Sequence, residues 1–349
     1  MTLKRSLLLT LSLFLIGAEL ARAQEQRFAL IGDFKLENGQ TIRDLKIGYR
    51  TFGTMNADKS NIVVLPMWAG GRTGQLKLDP NDNGKLIDTT KYFVVAIDPL
   101  SNGVSSSPSN SKFQPRMKFP QYTMRDVVNS EFTFLTKTLG ITHVRCVTGV
   151  SMGGMQTFQW MISYPDFMDI AIPIVGSPQL APYDILHWQT QIDVIMNDPN
   201  WRNGNYNNNP AREFEYEIGS IILTTPDEYN SKMTREQVLQ RIGKAKIETG
   251  GFDANDKIRQ DQSMMSIDVT ETFGGSWERA AAAVKAKTFV IVARFDHTVT
   301  PQPALRFAEL IKAKTLVLQG ECGHMAPSCE LEKVNPAVAA FLDNIGRNE

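Results

Sequence analysis

Six short apolar runs, separated by stretches of helical periodicity, constrain the fold of this chain more than any other feature. They are NIVVLPMW (61–68), YFVVAID (92–98), HVRCVTG (143–149), IAIPIVG (170–176), TFVIVA (288–293) and KTLVLQG (314–320). Their β-branched content and length are typical of strands. Strands that are apolar without alternation are buried on both faces, which predicts an α/β fold with a mostly parallel sheet and helices on both of its sides.

Local signals add detail to this outline. The segment TMRDVVNSEFTFLTKTLG predicts a helix that begins at Thr123 and ends at Gly140, because threonine favours the first position and glycine the last. The segment 27–53 predicts antiparallel strands joined by a turn at Asn38 and Gly39. The regular alternation is interrupted between about 179 and 275, where helical segments start with the capping threonines Thr225 and Thr234. We expect a helical lid insertion there, with a surface appendage as the alternative.

The N-terminal segment 1–23 has the anatomy of a cleavable secretory signal. A basic start at Lys4 and Arg5 precedes an apolar stretch from 7 to 18, and Ala21-Arg22-Ala23 directly precedes a suitable cleavage site before Gln24. An uncleaved anchor is the alternative. We therefore expect a mature α/β domain over 24–349 that is periplasmic or secreted.

Composition and cysteine usage limit the classes of partner. Hydrophobic residues make up 42% and charged residues 21%, and the formal net charge is zero, so neither nucleic acid nor an anionic membrane is an expected partner. Cys146 lies in an apolar run and is expected to be a buried free thiol. Cys322 and Cys329 either pair, as an oxidising compartment allows, or stay free. We expect no metal site and no cofactor.

A serine between two glycines, in Gly149-Val150-Ser151-Met152-Gly153, follows one predicted strand and precedes a predicted helix. This pattern is typical of a nucleophile elbow, a tight turn that exposes the serine hydroxyl above the sheet. The glycines are needed because side chains there would collide with the neighbouring strand or helix. The pattern alone also arises by chance, so its partners decide its meaning.

The residues that would activate Ser151 are few. Of the histidines, His324 follows the last predicted strand and is the candidate base, whereas His143 lies at the other end of the sheet. His187 falls in the insertion and is expected to line the substrate pocket, and His297 suits a surface or supporting position. Asp296, after another strand, is the candidate acid, with a helix-capping aspartate as the alternative.

An acyl-transfer site also needs donors for the oxyanion. One is expected to be the backbone amide of Met152, the residue after the nucleophile. The other is expected in the loop after the strand 61–66, where we favour the backbone amide of Trp68 over that of Met67.

The chain resembles the homoserine O-acetyltransferase branch of the α/β-hydrolase superfamily. The resemblance covers most of the mature sequence and is carried by GYRTFGTMNADKSNIVVL, LGITHVRCVTGVSMGGMQTFQWMISYPDFMD, NDPNWRNGNY and GFDAND, with GVSMGGMQ the most specific part. It implies the α/β-hydrolase fold, and it places the nucleophile, acid and base of the family on Ser151, Asp296 and His324.

Three positions depart from that branch. An arginine that the branch uses for the substrate carboxylate is Ile192 here, a second arginine is Gly251, and the aspartate that meets the substrate amino group is Met325. An apolar side chain cannot replace a guanidinium or a carboxylate, so the acceptor is not expected to be homoserine. His187 and Met325 remain the expected substrate contacts.

These observations predict an exported serine hydrolase that acts on a small acyl or ester substrate through an acyl-enzyme intermediate. An acyltransferase with a different acceptor is the first alternative, and an inactive binding protein on a hydrolase scaffold is the second. No contact with nucleic acid, or with a membrane after signal cleavage, is expected. Self-association into a homodimer is left open.

Overall fold

The central sheet has eight strands in the order β1-β2-β4-β3-β5-β6-β7-β8. The structure, a computed structural model, describes residues 25–76, 78, 86–210, 213–245 and 251–344, so the predicted signal 1–23 lies outside it. The strands are β1 (Arg27–Lys35), β2 (Thr41–Phe52), β3 (Ile62–Pro66), β4 (Phe93–Ile97), β5 (Val144–Val150), β6 (Met168–Ile174), β7 (Lys287–Ala293) and β8 (Lys314–Leu318). All six apolar runs are strands, as predicted.

Strand direction follows from the connections. The pairs β1–β2 and β2–β4 are antiparallel, and every other pair of neighbouring strands is parallel. The predicted turn joins β1 to β2, with the amide of Leu36 donating to the carbonyl of Gln40 at 2.8 Å and Gly39 at a φ of 84°. The prediction of a mostly parallel sheet with an antiparallel start is confirmed.

Both faces of the sheet are buried, which explains why its strands lack polar alternation. In β3, Ile62 and Val64 belong to one apolar cluster, whereas Val63 and Leu65 belong to a second cluster on the opposite face. The helices that cover the sheet or extend from it are α1 (Met124–Thr133), α2 (Met152–Ser163), α3 (Pro182–Met196), α4 (Glu213–Leu223), α5 (Pro226–Lys232), α6 (Arg235–Ala245), α7 (Ala254–Met265), α8 (Trp277–Ala283), α9 (Gln302–Leu310), α10 (Ala326–Cys329) and α11 (Leu331–Asn344). Within the described residues, no helix is both long enough and apolar enough to cross a bilayer.

The first helix shows how the local signals act. Thr123 caps α1 by accepting a hydrogen bond from the amide of Asp126 at 3.1 Å, and the Asp126 side chain accepts one from the Thr123 amide at 2.9 Å. After α1 the chain continues as a π-helical turn over Phe134–Thr138, and Gly140 follows at a φ of 59°. The predicted start and end of this helix are confirmed.

Helices α3 to α7 fall inside the range 179–275 between β6 and β7, and we call them the insertion helices. Thr225 accepts a hydrogen bond from the amide of Glu228 at 3.2 Å, and Thr234 accepts one from the amide of Gln237 at 3.3 Å. Both capping threonines therefore begin helices as predicted. The role of these helices as a lid remains a prediction.

Candidate active site

The carboxyl ends of three parallel strands bring the predicted serine, aspartate and histidine to one edge of the sheet. Ser151 directly follows β5, Asp296 follows β7, and His324 lies in the loop after β8. Parallel strands present their carboxyl ends on the same edge, so residues far apart in the sequence meet there.

Ser151 occupies a strained turn between β5 and α2. Its φ of 59° and ψ of −121° lie outside the regions that residues with side chains ordinarily adopt. The turn is held because the Ser151 amide donates to the carbonyl of Ile174 at 2.9 Å and its carbonyl accepts from the amide of Met155 at 3.0 Å. Strain supported by neighbouring backbone is typical of a functional site.

The flanking glycines are required by close backbone contacts. A Cβ atom on Gly149 would lie 2.6 Å from the backbone of Gly153, and one on Gly153 would lie 2.4 Å from the carbonyl oxygen of Pro66. The same steric constraint applies to Gly154, because a Cβ atom there would lie 2.8 Å from the carbonyl oxygen of Ile174. Backbone atoms cannot move away as flexible side chains do, so the turn fits only with glycine at these positions.

A chain of hydrogen bonds links Ser151, His324 and Asp296. Nε2 of His324 lies 2.8 Å from Oγ of Ser151, and Nδ1 lies 2.7 Å from Oδ2 of Asp296. A carboxylate only accepts hydrogen bonds, so Nδ1 carries the proton and Nε2 is left to accept from the serine hydroxyl. Both His324 and Asp296 are buried, at 6% and 3% exposure, which shields the pair from water.

Asp296 is fixed by its own loop. Its Oδ1 accepts hydrogen bonds from the amides of Thr298 at 2.8 Å and Val299 at 2.9 Å, which leaves Oδ2 for His324. The next helix, α9, has Pro301 at its N-terminal cap. The alternative that Asp296 caps this helix is therefore wrong.

His187 supports the aspartate loop from the insertion. Its Nε2 donates to the carbonyl of Thr298 at 2.8 Å, and its Nδ1 lies 3.4 Å from Nε2 of Gln191. Burial lowers the pKa of His187 to about 4, so the imidazole is neutral near pH 7 and keeps a single donor. Both ring nitrogens have protein partners, and a substrate contact by His187 remains a prediction.

The two other histidines lie outside this hydrogen-bonded group. His143 precedes β5 at the far edge of the sheet, where its ring contacts the carbonyl of Asp166 at 3.0 Å and the carboxylate of Asp169 at 2.9 Å. His297 is exposed next to Asp296. Met325, which follows the histidine of the site, is 41% exposed, and its contact with substrate also remains a prediction.

The predicted oxyanion donors differ in their availability. The amide of Met67 donates to the carbonyl of Ile97 at 3.2 Å, so it is already bound within the sheet. In the described part of the chain, no protein acceptor is found for the amide of Trp68. Met152 is the first residue of α2, and amides in the first turn of a helix have no intrahelical acceptor. Among the residues that the structure describes, the amides of Trp68 and Met152 are therefore available as donors, whereas the amide of Met67 is not.

A disulfide encloses the loop that carries His324. Cys322 and Cys329 are bonded, so of the two alternatives the structure contains the paired one, and Cys146 is a buried free thiol as expected. Among the described residues, Glu228 lies with these cysteines in a group of potential metal ligands. The two sulfurs are bonded to each other, so the carboxylate of Glu228 is the one group of the three that could still bind a metal. Burial raises the pKa of the Cys146 thiol, which keeps it protonated.

Some residues around the site had little or no signal in the sequence. Gln156 lies within the quoted segment GVSMGGMQ, but nothing in the segment indicated that it contacts the loop after β3. Gln260 belongs to the insertion and reaches Gly70 from 190 positions away in the chain. Contacts of this range have no local pattern, so only the fold reveals them.

Comparisons with known proteins find relatives of the same fold. A family model described as the alpha/beta hydrolase fold matches residues 61–328. A probable esterase of Corynebacterium glutamicum is 28% identical over 85% of this chain and 88% of its own, and a homoserine O-succinyltransferase of Neisseria meningitidis is 30% identical over 89% and 93%. The solved structure of an acetylester hydrolase from C. glutamicum superposes with a TM-score of 0.84 at 25% identity, covering 92% of this chain and 96% of the other.

Proposed function

Because the chain belongs to the α/β-hydrolase superfamily, in the branch that includes the homoserine O-acyltransferases, we propose that it is an exported serine esterase that hydrolyses short acyl esters of neutral alcohols. Its relatives are esterases and acyltransferases, so it is an enzyme that acts on esters or acyl groups. The observation that supports the finer proposal most strongly is the hydrogen-bonded chain from Ser151 through His324 to Asp296 on a strained turn.

In the proposed acylation step, Oγ of Ser151 attacks the ester carbonyl carbon and its proton passes to Nε2 of His324. The carboxylate of Asp296 orients the imidazole and stabilises its protonated form. The amides of Met152 and Trp68 donate to the oxyanion of the tetrahedral intermediate. When this intermediate collapses, the bond to the alcohol oxygen breaks and His324 gives its proton to the leaving alcohol.

Deacylation repeats these steps with water as the nucleophile. His324 takes a proton from the water, whose oxygen attacks the acyl carbon, and the bond to Ser151 breaks. The proton returns to Oγ of Ser151, and the carboxylic acid leaves. In an acyltransferase an acceptor alcohol would take the place of water at this step.

The surroundings of Ile192 support a neutral substrate over an amino-acid acceptor. Ile192 is 2% exposed and packs in an apolar cluster with Trp201 and Ile258, where the transferase branch has an arginine. The nearby cation Lys257 is paired with Asp261 at 2.9 Å in the same helix. These contacts provide no free positive charge for a substrate carboxylate. The name of the acetylester hydrolase suggests acetyl esters as the first substrates to test.

The proposed location, periplasmic or secreted, depends on the predicted signal and is supported by the disulfide between Cys322 and Cys329. Disulfides persist in oxidising compartments and are uncommon in the cytosol. Acetyl-CoA is a cytoplasmic metabolite, so export also favours water over an acetyl-CoA-dependent reaction.

The decisive experiment is a stopped-flow record of nitrophenol release from p-nitrophenyl acetate, with Ser151→Ala as the matched variant. Steady turnover that is lost in the variant is the expected result. A burst of one equivalent that then stalls, and resumes only when an acceptor alcohol is added, would identify an acyltransferase instead. Release that does not depend on Ser151, or no release from any short acyl ester, would overturn the proposal.

A further inference from the structure

We propose that two buried glutamines, Gln156 and Gln260, are positioning residues that aim the Trp68 amide at the oxyanion. Residues 67–71, which we call the oxyanion loop, leave β3 and carry this amide. The inference rests on the proposed function, because an oxyanion forms only if an acyl group is transferred.

Gln156 holds the first peptide of the oxyanion loop. It lies in α2, is completely buried, and donates from Nε2 to the carbonyl of Met67 at 3.1 Å. That carbonyl belongs to the same peptide group as the amide of Trp68. The peptide is trans, so its C=O and N–H point in opposite directions, and fixing the carbonyl fixes the direction of the Trp68 N–H.

The side-chain amide of Gln156 also contacts the carbonyl oxygen of Met152, the residue that supplies the second proposed donor. Nε2 of Gln156 lies 3.2 Å from the carbonyl of Met152, whose own amide is the other proposed donor. Both neighbours of Nε2 are carbonyl oxygens, so a flipped side chain would place oxygen against oxygen. One NH₂ group therefore bridges the oxyanion loop and the first turn of α2, the helix whose first amide is the second proposed donor.

A glutamine at position 156 carries a free-energy cost that packing alone does not explain. Oε1 of Gln156 is buried and has no hydrogen-bond partner in the described part of the chain. A leucine or methionine would fill similar space without burying an unpaired acceptor. Such a cost is expected where a side chain serves a functional geometry.

Gln260 holds the other end of the oxyanion loop. It is completely buried in α7, where its Oε1 accepts from the amide of Gly70 at 2.8 Å and its Nε2 donates to the carbonyl of Leu100 at 2.9 Å. The ring of Phe252 covers Gly70, since a Cβ there would lie 3.2 Å from it. The oxyanion loop, which carries the Trp68 amide, is thus held between a core helix and an insertion helix.

The two glutamines are expected to affect the transition state more than substrate binding. Charge on the carbonyl oxygen is largest in the transition state, so a misdirected donor lowers kcat and leaves KM nearly unchanged. Loss of a complete oxyanion donor costs roughly 100- to 1,000-fold in kcat. Because the donor is displaced here and not removed, we expect Gln156→Leu to lower kcat by about 10- to 100-fold, and Gln260→Leu by a smaller factor.

The test compares Gln156→Leu and Gln260→Leu with the matched control Gln159→Leu. Gln159 lies in the same helix as Gln156, is 2% exposed, and donates to Oγ of Ser163 at 2.9 Å. Each variant is assayed with p-nitrophenyl acetate and with its thiono analogue, whose sulfur is a weak hydrogen-bond acceptor. We expect the two test variants to lose kcat and part of the preference for the oxygen ester, while Gln159→Leu keeps the wild-type preference.

Two results would overturn the inference. The first is a wild-type kcat and a wild-type oxygen-to-sulfur preference in both test variants, and the second is an equal loss in Gln159→Leu. If Gln156→Leu does not fold, Gln156→Glu replaces it, because a carboxyl group keeps the shape and supplies at most one of the two hydrogen bonds. Activity that survives in Ser151→Ala would refute the proposed function itself, so the two failures are distinguishable.

Discussion

The carbonyl of Thr298 accepts a hydrogen bond of 2.8 Å from Nε2 of His187, which joins the insertion to the loop that carries Asp296. The same threonine donates from Oγ1 to the carbonyl of Ile222 at 2.9 Å, and its amide donates to Asp296 at 2.8 Å. Two insertion helices therefore meet the aspartate loop at one residue. The orientation of Asp296 depends on the insertion as well as on the sheet.

Replacing His187 by phenylalanine is expected to weaken this connection. The change keeps an aromatic ring of similar size but leaves the Thr298 carbonyl buried without its donor, which costs about 1–3 kcal/mol of the free energy of unfolding. We expect kcat to fall about tenfold, because Asp296 then orients His324 less well. The exposed His143→Phe is the control, and urea unfolding with ester kinetics is the measurement. A wild-type kcat in His187→Phe would contradict this role.

Adding a methyl group to Gly153 is expected to abolish activity. Its Cβ would lie 2.4 Å from the Pro66 carbonyl, so either the turn at Ser151 or the strand that leads into the oxyanion loop must move. Gly219→Ala is the matched control, because within the described residues no atom beyond the backbone of its own helix lies within 4 Å of its would-be Cβ. The control is expected to gain about 0.5–1 kcal/mol from helix propensity. Thermal unfolding and ester turnover of both variants test the contrast.

The geometry around Ser151 was predictable because sterics leave a local trace in the sequence. Gly149 and Gly153 stand where no Cβ fits, and strand-ending positions placed Asp296 and His324 at the same edge of the sheet. Hydrogen bonds join these side chains in the structure, and their catalytic role stays a prediction.

Other parts of the site were not predictable from the sequence. The choice between Trp68 and Met67 depends on which amide the sheet already uses, and backbone donors have no side-chain signature. Spacing alone does not bring two sulfurs together, so the sequence leaves open whether Cys322 pairs with Cys329, whereas the structure contains the disulfide. The contact between Gln260 and Gly70 depends on how the insertion docks, and docking is a property of the whole fold.

Thiol titration provides a direct test of the disulfide. The chain has three cysteines, and Cys146 is the free one in the structure. Denatured, unreduced protein is therefore expected to react with one equivalent of a thiol reagent and reduced protein with three. Loss of the cross-link in Cys322→Ser/Cys329→Ser is expected to cost about 2–3 kcal/mol and to lower kcat, because the loop of His324 is no longer closed. Three reactive thiols before reduction would contradict the pairing.

Glu131 is expected to make the stability of the protein depend on pH. The residue is 1% exposed in α1, where Oε2 accepts from Nε1 of Trp160 at 2.9 Å and Oε1 has no partner in the described part of the chain. Burial raises the pKa of this carboxyl from 4.5 to about 8. The folded protein thus keeps a proton that the unfolded chain releases above pH 4.5. The stabilisation from Glu131 is complete below pH 4.5, declines as the pH rises, and is lost above about pH 8.

Glu131→Gln isolates this contribution, because glutamine keeps an acceptor for Trp160 and cannot ionise. Urea unfolding at pH 5, 7 and 9 is expected to show wild-type stability falling by roughly 2–5 kcal/mol from this group, and a flatter profile in the variant. The two proteins should be similar at pH 5, and the variant should be the more stable at pH 9. Glu309→Gln, at an exposed position, is the control and should follow the wild type. Parallel profiles for wild type and Glu131→Gln would mean that the carboxyl is ionised in the folded protein near neutral pH, and the buried environment of α1 would then have to admit water.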